Sequence, residues 1–251
     1  MAIYPDLHGQ VIVVTGGGSG IGEAIVRQFA AQRANVAFLD VAVEPSRALV
    51  RELEASGTPV HFEACDLTDI AALRSAIGVI RARLGPIQVL VNNAANDERH
   101  ATEEVTEAVW DERIAVNLKH QFFCAQAVLP DMKAAGRGAI INLGSISWMT
   151  GVGGMAGYTA SKSGVLGLTR SLARDFGVHG VRVNAVAPGW IMTQRQLEKW
   201  FTPEGERHAM AAQCLKRRLQ PVEVAKFVVF LASEEASACT GQHYVVDGGW
   251  A

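Results

Sequence analysis

The sequence predicts an α/β fold: a doubly wound parallel sheet of about seven strands in one domain. Three observations predict it. Short β-branched apolar runs alternate with longer amphipathic stretches, the pattern of a parallel sheet covered by helices on both faces. A glycine-rich turn joins the first such run to the first helical stretch. No Pro/Ser-rich linker, long charge run or low-complexity segment divides residues 1–251, and the apolar share is 49%.

The elements follow in order. Val11 to Val14 reads as a buried strand, and Ile21 to about Gln32 as the helix after the glycine turn. Asn35 to Leu39 is the second strand, with a helix at Pro45 to Ser56. His61 to Cys65 is the third, with a helix at Ile70 to Leu84. Ile87 to Val91 is the fourth and runs into Asn92-Asn93. A long helical region from Thr106 to Ala135 contains Pro130, which should kink or break it. Ala139 to Leu143 is the fifth strand, Gly157 to Phe176 a helix, and Val181 to Val186 the sixth strand. Two helical patches, Gln194 to Trp200 and Val222 to Leu231, precede a closing strand at Gln242 to Val246. Right-handed crossovers assemble these into a Rossmann-type sheet, in which ligands bind outside the carboxyl ends of the strands. Every unusual residue cluster in the chain falls just after a strand. The chemistry therefore has one address.

Bulk properties narrow the function classes. A formal net charge of −2 and a pI of about 6.4 argue against a nucleic-acid partner, which requires a basic face. Cys65, Cys124, Cys214 and Cys239 show no metal-ligand spacing and read as reduced thiols, so no metal centre is expected. Met1 to Leu7 lacks the charged start and apolar core of a signal peptide. No run of about eighteen apolar residues is present to span a membrane. A soluble, cytoplasmic protein is expected.

Thr15-Gly16-Gly17-Gly18-Ser19-Gly20-Ile21-Gly22 sits between the first strand and the first helix. Glycines there allow a tight turn, close approach of backbone N–H groups to a pyrophosphate, and close helix packing. The helix N-terminus adds positive partial charge. Gly16, Ser19, Gly20, Ile21 and Gly22 are therefore candidate dinucleotide contacts. Asp40 ends the second strand, where a carboxylate accepts from both ribose hydroxyls and repels a 2′-phosphate. No Arg or Lys follows it directly, so NAD is expected over NADP. Asp66, with Leu67 beside it, is a candidate adenine contact, although Asp66 could equally cap the following helix.

Tyr158 and Lys162 are four apart on a predicted helix and share a face. Free tyrosine titrates near 10 and is a poor base at neutral pH. A nearby ammonium should favour the phenolate, and a drop of about 2–3 in pKa corresponds to roughly 3–4 kcal/mol. Ser145, just past the fifth strand, can place its hydroxyl beside the phenol and orient a substrate oxygen.

These residues carry a resemblance. Thr-Gly-x-x-x-Gly-Ile-Gly (15–22), Asn92-Asn93-Ala94, Ser145, Tyr158-x-x-x-Lys162 and Pro188-Gly189 match, in order and spacing, the short-chain dehydrogenase/reductase family, which the chain resembles over its whole length. The resemblance implies that Asn117 is a fourth catalytic member, helping to hold a water that links Lys162 to solvent. It implies that Asn92 supports the central strand. It also implies that Asn93, Ala94, Pro188, Gly189, Ile191 and Thr193, together with Tyr158 and Lys162, line the cofactor site, and that the protein is a homotetramer. Ala95 departs from the glycine usual after Asn-Asn-Ala, which changes backbone freedom beside the nicotinamide.

With no second domain, the substrate pocket must come from loops at the same sheet edge. Asn96 to His100 is dense in donors and acceptors that suit a polyhydroxylated ligand, and Trp148 and Trp190 could stack on a sugar face. Asn96, Asp97, Ser147, Trp148, Met155 and Trp190 are the candidate substrate contacts, with a lid around residues 190–215. The stretches Asn96 to His100, Trp110 to Arg113, Gly144 to Trp148, Lys199 to Glu206 and Ala212 to Lys216 are similar to the bacterial NAD-dependent aldose 1-dehydrogenases of the D-xylose and L-arabinose type. That similarity implies oxidation of the anomeric hydroxyl of an aldopyranose to its lactone, with Tyr158 as general base. The alternative is an NAD(P)H-dependent 3-oxoacyl or other carbonyl reductase of the same family.

Overall fold

The computed structural model describes residues 2–251. In chain order it comprises β1 (Val11–Thr15), α1 (Gly20–Ala31), β2 (Asn35–Asp40), α2 (Val43–Ala55), β3 (His61–Ala64), α3 (Ile70–Leu84) and β4 (Ile87–Asn92). There follow α4 (Glu107–Ile114), α5 (His120–Ala135), β5 (Gly138–Leu143), α6 (Ala156–Gly177) and β6 (Val181–Pro188). The chain closes with α7 (Gln194–Lys199), α8 (Pro203–Ala212), α9 (Pro221–Ala232) and β7 (His243–Val246). All seven strands pair in parallel, in the order β3-β2-β1-β4-β5-β6-β7.

The alternation of strand side chains divides the core between the two faces. On β1, Ile12 and Val14 pack with Phe29 of α1 and Val228 of α9. Val11 and Val13 face the other way, with Leu73 and Ile77 of α3 and Val128 of α5. Each fully buried Leu, Ile or Val of this kind contributes roughly 1.5–3 kcal/mol relative to exposure. Strand order reverses between β1 and β4, and the crevice there opens at the carboxyl ends of both strands.

Two elements differ from the sequence expectation. The long helix runs through Pro130 without ending; it is interrupted earlier, by a π turn over Ala115–Lys119 that contains Asn117. Arg81 donates to the Ala127 carbonyl at 2.7 Å, in the turn preceding Pro130. Pro130 removes only the backbone bond to the Gln126 carbonyl, four residues earlier, and the helix continues past it. The second difference is α8, which lies where no helix was expected. It starts on Pro203 and is capped by Thr202, whose hydroxyl accepts from the Gly205 N–H. Its mixed small and polar composition leaves little apolar periodicity to read, and only Ala209 is buried.

Among the described residues, no helix is long and apolar enough to cross a membrane, and no cluster of His, Cys, Asp or Glu could hold a metal ion.

Candidate active site

The glycine turn is built by sterics. Gly16 has φ +66° and lies against the Ala94 backbone, which a Cβ would meet at 2.8 Å. At Gly22 a Cβ would fall 1.8 Å from the Gly16 carbonyl oxygen, so only glycine fits there. Asn93 fixes the turn from β4: its Nδ2 donates to the Thr15 and Gly16 carbonyls at 3.0 and 2.9 Å, while Thr15 Oγ1 accepts from the Asn93 and Ala94 N–H groups. Ser19 is the N-cap of α1, yet its hydroxyl accepts from none of the helix N–H groups. The first turn of α1 thus keeps its donors and its positive end for an anion. Thr193 packs its methyl against Gly20 and caps α7 through a bond from Gln196 N–H.

Asp40 reaches back over this turn. Its Oδ2 accepts from Gly18 N–H at 2.8 Å and its Oδ1 from Ala42 N–H at 2.9 Å. Asp66 is exposed, and one of its oxygens accepts from the Thr68 N–H and hydroxyl. It does not cap α3; Asp69 does, accepting from Ala71 and Ala72.

The β5 loop and α6 bring Ser145, Tyr158 and Lys162 together. Ser145 acts on the Tyr158 phenol and favours its charged form, and its Oγ accepts from Ser147 N–H at 3.1 Å. The Lys162 ammonium lies 5.6 Å from the Tyr158 ring centre and donates to the Leu143 carbonyl at 2.8 Å. Desolvation pushes the Tyr158 phenol up to about 12, against the opposing pull of Ser145. Burial lowers Lys162 to about 7, with Asp97 opposing. The expected depression of the tyrosine by the lysine is therefore not a property of the protein alone. Burial outweighs it, because a desolvated lysine sheds its own charge before it can stabilise a phenolate.

Asn117 is fully buried and grips the β4 loop. Its Oδ1 accepts from Asn96 N–H at 2.9 Å, and its Nδ2 donates to the Asn96 and Arg113 carbonyls. Its own main-chain carbonyl accepts from Gln121 Nε2 at 3.2 Å. Asn92 ties β4 to β5 by donating to Asn142 Oδ1 at 2.9 Å, and Asn142 in turn donates to Thr169 on α6.

The loops around Tyr158 divide into two sets. Asp97 and Trp190 are occupied by the lid: Asp97 accepts from Arg195 Nε at 2.8 Å and Gln196 Nε2 at 2.6 Å. Trp190 donates to Gln196 Oε1 and stacks on Phe201. Asn96 is half-buried, and its Oδ1 accepts from the Glu98 N–H and, at 3.4 Å, from Arg195. Glu98 meets Arg195 and Lys199, and Arg99 lies 4.5 Å over the Trp200 ring. The second set is less engaged, with an ion pair running from Arg113 Nη1 to Glu112 at 3.5 Å. His100, Arg113, Trp110 and Met155 line a cavity with Tyr158. Within that set and the loop after Ser145, His100 Nε2, Arg113 Nε and Nη1, Ser147 Oγ and Trp148 Nε1 are buried without a hydrogen-bond partner among the described residues.

A family model described as enoyl-(acyl carrier protein) reductase matches residues 16–251. The chain belongs to the short-chain dehydrogenase/reductase family. Its relatives include the D-xylose 1-dehydrogenase of Caulobacter vibrioides (strain NA1000 / CB15N), 52% identical over 99% of this chain and 98% of that protein. A protein of Rhizobium meliloti (strain 1021) described as a probable galactose dehydrogenase is 45% identical over 98% of this chain and 96% of its own length. A solved 7α-hydroxysteroid dehydrogenase, complexed with NADH and 7-oxo glycochenodeoxycholic acid, superposes with a TM-score of 0.94 at 30% identity, covering 98% of this chain and 96% of that one.

Members of the short-chain dehydrogenase/reductase family use nicotinamide cofactors, and the residues present fit one. The glycine cradle, the uncapped donors of α1 and the Asp40 carboxylate form an anion site beside a hydroxyl acceptor. Arg113 lies in one of the stretches similar to the aldose dehydrogenases, whereas no motif in the sequence singles out His120 and Gln121. The one available signal was polar residues inside an apolar helical run, three and four positions after Asn117 for the latter two.

Proposed function

We infer that this enzyme oxidises the anomeric hydroxyl of an aldopyranose, a pentose or related sugar, to its lactone with NAD. The observation that carries the reading is a set of buried, unpartnered polar groups: Arg113 and His100 line a cavity with Tyr158, and Ser147 and Trp148 stand on the loop after Ser145. Arg113 and Trp148 offer donors, and Ser147 and His100 either donate or accept. Buried groups of this kind each cost about 1–3 kcal/mol when unpaired, so a pocket lined by them favours a ligand rich in hydroxyls over an apolar one. The sugar dehydrogenases among the relatives support the same substrate class.

Gly16, Ser19, Gly20, Ile21 and Gly22 would hold the pyrophosphate. Asp40 would hold the adenosine ribose, and its charge disfavours the 2′-phosphate of NADP. Asp66 and Leu67 would flank the adenine, and Asn93, Ala94, Pro188, Gly189, Ile191 and Thr193 would frame the nicotinamide end. Bound NAD supplies the hydride acceptor. Tyr158, in the phenolate form that a bound pyridinium would favour, takes the proton of the substrate hydroxyl, Ser145 orients that oxygen, and Lys162 hands a proton on towards the water held near Asn117. The substrate contacts would be Ser147, Trp148, Met155 and Asn96, while Asp97 and Trp190 act by holding the lid. Solubility, a cytoplasmic site and assembly as a homotetramer belong to the same reading.

A panel of aldopentoses and aldohexoses assayed with NAD and with NADP, reporting kcat/KM for each, tests it. NAD-dependent oxidation of D-xylose, L-arabinose or D-galactose is expected. NADPH-dependent reduction of acetoacetyl thioesters, without aldose oxidation, would replace it with the carbonyl-reductase reading.

A further inference from the structure

Where α5 follows the π turn lies a second group of buried polar atoms that the reaction as described leaves unused. His120 opens α5 immediately after the π turn and is fully buried. Neither of its ring nitrogens has a hydrogen-bond partner among the described residues, although the Ala115 and Val116 carbonyls of the π turn flank the ring. Gln121 Oε1 and Asn92 Oδ1 are also buried and unpartnered. These residues form one continuous set: Asn92 Nδ2 donates to the Gln121 carbonyl at 3.2 Å, and Gln121 Nε2 donates to the Asn117 carbonyl at 3.2 Å. Asn92 also donates to Asn142, the residue next to Leu143, whose carbonyl accepts from Lys162; the set thus adjoins the lysine, whose charge acts on the His120 ring. Lys162 Nζ makes one hydrogen bond, to Leu143, leaving further donors of its ammonium unused.

Buried polar atoms in folded proteins are completed by ordered water when no protein group completes them, and such a water makes about three hydrogen bonds. Four unpartnered atoms and the spare donors of Lys162 match the needs of one or two waters. The Asn117 carbonyl already carries the Gln121 bond, which takes part of its capacity and moves the demand for water towards His120.

We propose that His120, with Gln121 and Asn92, anchors ordered water against Lys162 and so extends the proton path beyond the Asn117 carbonyl. His120 is a positioning residue here. One ring nitrogen accepts from the water and the other keeps its proton, so the ring does not change charge as a proton leaves Lys162 along the water. Burial lowers the ring to about 3, which keeps it neutral and free to accept. The proposal rests on the hydride-transfer reading for its kinetic consequence but not for the water site itself.

The test compares His120→Phe with His120→Gln, the second keeping polar atoms at the position. With D-xylose and NAD, His120→Phe is expected to lower kcat by about ten-fold or more while both KM values stay within about two-fold, since only proton removal is impaired. The solvent deuterium isotope effect on kcat should rise, and His120→Gln should recover most of the loss. A wild-type kcat and isotope effect in His120→Phe would overturn the proposal. So would equal losses in both variants with no change in isotope effect, which is the signature of disturbed packing. A crystal structure of the wild-type protein supplies a readout without substrate. Water within hydrogen-bond distance of both His120 and Lys162 is expected, and a dry ring would overturn the proposal. Should the wild type oxidise no aldose, the sugar reading fails while the crystallographic test still decides this one.

Discussion

In the proposed reaction Tyr158 is the general base, and burial holds its phenol protonated in the protein alone. Removing its oxygen leaves Ser145 and Lys162 with no acceptor to organise. Tyr158→Phe should therefore lower kcat by about 10³-fold or more with little change in NAD binding, measured by steady-state kinetics and by cofactor titration. Asp40 acts through charge. Its two oxygens already accept from Gly18 and Ala42, which aims the carboxylate over the glycine turn. Asp40→Ser removes the repulsion of a 2′-phosphate, so the NAD-to-NADP ratio of kcat/KM should fall by about ten-fold or more. An unchanged ratio would mean that Asp40 does not read the ribose.

At the level of elements, the lid is clasped to the β4 loop. Asp97 and Glu98 meet Arg195, Gln196 and Lys199 of α7, while Arg99 covers Trp200. The pairs are partly exposed, so salt should weaken them. Arg195→Ala is expected to raise KM for the sugar several-fold, and about 0.5–1 M NaCl should raise the wild-type KM in the same direction. Kinetics across an ionic-strength series check both, and a variant with the same salt response as wild type would remove the clasp from the account. The glycine turn is less forgiving. A methyl at Gly22 would meet the Gly16 carbonyl and Asn93, so Gly22→Ala should abolish NAD binding or folding outright, read by calorimetry and circular dichroism.

Across the whole molecule, two buried basic groups tie stability to pH. His120 is lowered from 6.5 to about 3, so between those values the unfolded chain binds a proton that the folded chain refuses. Stability therefore falls as pH drops through that window. Lys162 is lowered from 10.5 to about 7, and by the same reasoning stability rises as pH climbs from about 7 to 10.5. Each effect is on the order of a few kcal/mol. Urea midpoints across pH should show both slopes in the wild type. His120→Phe should flatten the acid one, and Lys162→Met the alkaline one.

The amino-acid sequence by itself determined the sheet, its parallel sense and the strand-end position of the residues proposed for the chemistry. Strand alternation, helix periodicity and glycine requirements are local properties, legible over a few neighbouring residues such as Val11–Thr15 or Gly16–Gly22. Spacing also determined that Tyr158 and Lys162, the pair proposed for catalysis, share a helix face whatever surrounds them. Tertiary structure alone decided the rest. Whether Asp97 faces a sugar or the lid depends on where α7 lands, almost a hundred residues later in the chain. That Asp69 rather than Asp66 caps α3 depends on loop dihedrals, and the π turn at Asn117 on how α4 and α5 pack against α6. The protonation of Tyr158 and Lys162 was decided there too. Desolvation is a sum over everything that buries a group, and the four-residue spacing that brings the pair together says nothing of it.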